Sequence, residues 1–143
     1  MRVTIYFLIY CSIAFLQPVL ADTRLRVGVA LPLTGLAVDY GVAYKKGIEM
    51  ALSDFPHDAR NIGIEYEDHQ YDNKMALSAV RKLASIDKVQ AIVVWGWNPS
   101  EAIAPISQEL KIPLLLSSLN PISRNRPMVF NLAGPISTLM NPL

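Results

Sequence analysis

Apolar positions along this chain switch repeatedly between a period of two and a period near 3.6. Residues 24–30 (RLRVGVA) alternate and then become wholly apolar, which predicts a strand closed by Pro32 and Gly35. Tyr44, Ile48, Ala51, Leu52 and Phe55 then share one helical face, with Lys45, Lys46, Glu49 and Asp54 mostly opposite, and Pro56 stops the run. After a polar connection at 57–61, residues 62–67 (IGIEYE) alternate, as suits a strand near a sheet edge. A polar loop at 68–73 offers Asp72 and Asn73 as helix caps. Met75, Ala76, Ala79, Val80 and Leu83 form the next helical stripe. Residues 91–95 (AIVVW) are continuously apolar, long enough for a strand buried on both faces and too short for a helix. Gly96 breaks that run. Asn98 then reads as an N-cap, Pro99 as the first helical residue and Glu101 as a capping-box acid, followed by the stripe Ile103, Ile106, Leu110. Residues 112–116 predict another buried strand, with Pro113 tolerated near its start, and 128–131 a short last one. Residues 134–135 and 141–142 read as linker.

Strand and helix alternate three times before two further strands, which specifies an α/β fold with a doubly wound parallel sheet. With successive crossovers on opposite sides, the strand order is 2-1-3-4-5 and the switch point lies between the first and third strands. The loops at 34–41, 96–100 and 117–120 then meet at one sheet edge. They hold Thr34, Tyr40, Trp95, Trp97, Asn98, Ser100, Ser117, Ser118 and Asn120: hydroxyls, amides and aromatics, with no paired carboxylates and no histidine. Such a set suits holding a small polar molecule with an apolar part, its carboxylate near a helix N-terminus, and does not suit acid–base catalysis. Each residue also has a plainer role: Asn98 as a cap, Trp95 as core with Trp97 the exposed partner, Ser117 and Ser118 as turn residues, Tyr40 as the apolar entry to its helix.

The amino terminus changes the compositional picture. Arg2 precedes a long apolar run at 5–16, and Val19 and Ala21 occupy the small-residue positions of a cleavage site, so residues 1–21 read as a signal peptide. Removing Arg2 from 13 basic residues leaves 12 against 12 acidic ones, and a balanced charge gives no footprint for nucleic acid. Cys11, the one cysteine, falls in the leader, which excludes thiol catalysis and thiolate metal sites in the remainder. Asp68, His69 and Asp72 form an acidic loop that reads as solvated rather than metal-binding. No Gly-rich phosphate loop and no nucleophile elbow occurs, so neither a cofactor nor an enzyme is expected.

Three segments in order, VGVALPLTGLAVDYGVAYKKGIEMAL, IEYEDHQYDNKMALSAVRKL and VQAIVVWGWNPSEAIAPISQELKIPLLLSS, resemble the leucine/isoleucine/valine-binding family of extracytoplasmic solute-binding proteins, over about residues 24–135. The resemblance implies the substrate-binding component of an ABC importer, periplasmic or secreted, binding an amino acid or related small polar molecule and working with a membrane permease. It implies that residues 22–143 are the first of two lobes, truncated near the hinge, with the acidic partner of a ligand ammonium belonging to the second. By position it implies ligand contacts from Tyr40, Trp97, Asn98, Ser118 and Asn120. The family's serine-bearing loop is here Gly96, Trp97, Asn98, Pro99, a departure that bears on which ligand fits. The same pattern suits the ligand-sensing domain of a receptor, or a truncated product without a working site.

Overall fold

The computed structural model describes residues 24–119 and 125–133. Its elements run β1 (Leu25–Leu31), α1 (Val38–Asp54), α2 (Pro56–Ala59), β2 (Ile62–Asp68), α3 (Asn73–Ser85), β3 (Ala91–Trp95), α4 (Trp97–Ile103), a 3-10 turn (Ala104–Ile106), α5 (Ser107–Leu110), β4 (Leu114–Ser117) and β5 (Val129–Asn131). The five strands form one parallel sheet in the order β2-β1-β3-β4-β5, the order expected from the alternation of elements. Register lines up the strand ends. Leu31 lies opposite Asp68, and Trp95 opposite Ser117, so the loops after β1 to β4 leave from one edge.

Continuous apolar strands produce a sheet covered on both sides, but not equally. Ala30, Ile92, Val94, Leu114 and Leu116 turn to one face and close with Ala76, Val80 and Leu83 of α3, Ile103 of α4 and Ala104 into the main core. Gly28 belongs to the same face, because a Cβ there would come within 2.9 Å of Leu83. Tyr66 turns to the other face, where the Lys45 ammonium of α1 sits 4.7 Å from its ring centre. Lys82 of α3 bridges Glu67 of β2 and Asp87.

Three helix boundaries differ from expectation. α1 begins at Val38, well before Tyr44, because Gly41 lets its first turn lie directly on β1's exit: a Cβ at Gly41 would fall 2.0 Å from the Pro32 carbonyl oxygen. Tyr40 therefore stands on a helix rather than in a loop. α4 begins at Trp97, with Gly96 at the N-cap position at φ 115°, and Asn98 lies inside the first turn rather than capping it. The polar connection after Pro56 includes one helical turn, α2. By contrast Asp72 caps α3 as expected, accepting from the N–H groups of Lys74 and Met75. No helix among the described residues is long and apolar enough to cross a membrane.

Candidate functional site

At the carboxyl edge the β1–α1 loop is tied to the end of β2 by one carboxylate. Asp68 accepts from the N–H groups of Leu33 (2.8 Å), Thr34 (3.3 Å) and Gln70 (2.9 Å) and from the Thr34 hydroxyl. Partial burial pushes this carboxyl up. The donors, the Thr34 hydroxyl foremost, outweigh that and hold it below its ordinary value. The clamp fixes the loop that carries the chain into the first turn of α1, and so fixes Tyr40.

Tyr40 stacks on Trp95, ring centres 5.4 Å apart and planes inclined by 16°. Tyr71 leans on the same indole at 5.9 Å and 52°. Tyr40 of α1, Tyr71 of the β2–α3 loop and Trp95 at the end of β3 thus make one aromatic wall at the switch point between β1 and β3. Gly96 is required beside it, since a Cβ there would meet the Tyr71 ring at 2.7 Å and its φ lies in the left-handed region.

His69 sits beneath the wall, fully buried, where a solvated loop residue was expected. Its Nδ1 accepts from the Tyr71 N–H (3.0 Å) and its Nε2 lies 3.1 Å from the Trp95 carbonyl oxygen. Burial drives the imidazole pKa below its ordinary value, against the opposing pull of the Trp95 carbonyl and Asp68.

The remaining expected residues flank this wall. Trp97 and Asn98 are exposed in the first turn of α4, where Gly96 supplies no side-chain cap to the amide donors. Gly96 N–H donates to the Ser117 carbonyl at 3.2 Å, which joins the loop after β3 to the end of β4. Ser118 follows and is buried, at 3 % exposure. Asn120 lies outside the described residues. Trp95 and Tyr71 were not among the residues expected to hold a ligand. Trp95 reads as core, and Tyr71 reads as one residue of a polar loop. The signal that could have found Tyr71 is Gly96, a glycine placed where an aromatic from the neighbouring loop needs room. Among the described residues no group of histidine, cysteine and acidic side chains could hold a metal ion.

A family profile described as periplasmic binding protein matches residues 24–143. The chain belongs to the periplasmic binding protein family. No curated protein matches it. Solved structures with the same fold include the branched-chain amino acid transporter substrate-binding protein LivJ of Streptococcus pneumoniae, in complex with isoleucine, at 20% identity and TM-score 0.70 over 80% of this chain and 35% of that one. The leucine-binding protein LivK of Thermotoga maritima matches at 27% identity and TM-score 0.68 over 78% of this chain and 33% of its own. An ABC transporter solute-binding protein of R. palustris, in complex with 4-hydroxybenzoate, matches at 22% and 0.68 over 79% and 32%. The chain thus spans about a third of the length of these structures. The periplasmic binding protein family and these neighbours are solute-binding proteins, not enzymes.

Proposed function

We propose that this chain forms the first lobe, residues 22–143, of an extracytoplasmic solute-binding protein that serves an ABC importer and binds an amino acid or related small carboxylate. Tyr40, Trp97, Asn98, Ser118 and Asn120 surround the ligand, with the permease as membrane partner and cleavage after Ala21 releasing the leader. The observation that carries this reading is the position of the Tyr40–Trp95 stack at the crevice where the strand order reverses, the place where open α/β sheets bind ligands. The stack supplies an apolar wall, and the uncapped first turn of α4 supplies amide donors for a carboxylate. Family membership supports the class of activity.

The three-ring wall favours a ligand with a flat apolar part over a branched aliphatic one, a reading supported by the R. palustris solute-binding protein of similar fold in complex with 4-hydroxybenzoate. Calorimetry of the full chain against isoleucine, phenylalanine and 4-hydroxybenzoate tests both levels. One lobe encloses only one side of a ligand, so weak binding on the order of 0.1–1 mM is expected, tightest for the aromatic ligands. Binding that is unchanged by Tyr40→Ala in a folded variant overturns the site. Tighter binding of isoleucine than of either aromatic overturns the ligand preference.

A further inference from the structure

We infer that His69 is a positioning residue that holds Tyr71 and Trp95 in the aromatic wall only while its imidazole is neutral, which makes the wall sensitive to mild acid. The inference rests on the proposed ligand-facing role of that wall for its functional meaning, but not for its geometry.

The hydrogen bonds leave one protonation state. A backbone N–H can only donate, so the His69 Nδ1 facing Tyr71 N–H must present a lone pair. A carbonyl can only accept, so the Nε2 facing Trp95 must carry the hydrogen. The ring is therefore a two-ended tie between the β2–α3 loop and the last residue of β3, 26 positions apart in sequence. The backbone around it is anchored as well: His69 N–H donates to the Leu31 carbonyl (3.0 Å), and its own carbonyl accepts from Asp72 N–H (2.7 Å).

Adding a proton places a donor at Nδ1 against the Tyr71 donor. That bond is lost, and the site is fully buried, so no bulk water replaces it. Tyr71 is then left in the left-handed region, at φ 64°, next to Gln70 at φ 51°, without the contact that holds it there. The groups that favour the cation, the Trp95 and Ala30 carbonyls and the charge of Asp68, are outweighed by burial. β1 and β3 present backbone carbonyls. Asp68 acts through its charge alone, since its oxygens accept from Leu33, Thr34 and Gln70, and the carboxylate of Asp72 is occupied at the cap of α3. The depression of the imidazole pKa by burial agrees with this geometry.

The test is nitrogen-15 NMR of the histidines in the intact chain, with tryptophan fluorescence across pH 8 to 5. His57, whose side chain is 85% exposed, is the internal reference. The expected result is a pure Nε2–H tautomer for His69 at pH 7.5, a midpoint at lower pH than that of His57, and a shift in tryptophan emission that follows the His69 titration. An Nδ1–H tautomer, or a His69 midpoint at or above that of His57, overturns the inference. Two variants separate positioning from space filling. His69→Asn keeps an acceptor for Tyr71, and His69→Gln keeps a donor for Trp95; both are expected to lose the acid-induced shift. A shift that persists in either folded variant overturns the inference, and where a variant does not fold the NMR of the native chain decides. No ligand enters the readout, so failure of the ligand panel leaves this result standing and the reverse also holds.

Discussion

The two faces of the sheet are held by different physics. On the side of α3 and α4, strand and helix residues interdigitate until Ala30, Val80, Leu83, Ile92, Ile103, Leu114 and Leu116 are all fully buried. On the other side α1 buries only Gly41 completely. Its apolar stripe leaves Phe55 exposed and borders an open groove of about 340 Å³ with Ile48, Leu52 and Ile62. Val93 and Leu115, which alternate with the core positions of β3 and β4, are only half-buried. On this side Val29 and Leu31 of β1 are fully buried, and polar contacts add to them: the Asp68 clamp on the β1–α1 loop and the Lys45 ammonium over Tyr66. The candidate site stands at the edge of the less packed side, where rings are placed by hydrogen bonds more than by core packing.

Three experiments would break or sharpen that contrast, in falling order of effect. Leu83→Ala on the packed side should cost about 3 kcal/mol, because the methyl groups under Gly28 leave a hole that the sheet cannot close. Urea melts should show it at every pH from 5 to 8, and a loss under about 1 kcal/mol would place the packed core elsewhere. Asp68→Asn should cost about 2 kcal/mol, since the charged acceptor of four donors is replaced by an amide that adds a donor of its own. Its pH dependence has a definite sign. A carboxyl held below its ordinary value stabilises fully above about pH 4 and loses that contribution as pH falls through the folded value. The native chain should therefore weaken in that window and the variant should not; parallel acid limbs for the two would remove the clamp from the account. Phe55→Ser on the open side should change stability by less than about 0.5 kcal/mol, since the ring is 65% exposed. A cost comparable to that of Leu83→Ala would mean that the two faces are equally packed after all.

Most of the architecture was legible because each strand carries its own pattern. The apolar runs at β3 and β4 and the alternation at β2 announce which strands are central and which is at the edge, and the alternation of helices settles the order. Helix starts were less legible. Asn98 and Pro99 present a strong local cap signal, but the chain turns at Gly96, whose positive φ and missing Cβ make room for Tyr71. The wall itself was half legible. Tyr40 could be placed from the loop after β1, whereas Tyr71 depends on two consecutive left-handed residues, Gln70 and Tyr71, neither of them glycine. His69 depends on a carbonyl in another strand, and no spacing in the sequence encodes that distance.

The order of the strands also governs how copies of the chain treat one another. Among the described residues β2 and β5 are the outer strands, and an outer strand offers an unpaired row of N–H and C=O groups to any extended segment that drifts past. β5 is only three residues long, too short to hold an added strand. β2 is longer, but Glu65 and Glu67 alternate along it, engaged by Arg26 and Lys82 on the neighbouring elements. A strand docking there would have to draw these carboxylates and their cations away from water. The same alternation that marks β2 as an edge strand therefore guards the sheet against growing from chain to chain into an aggregate.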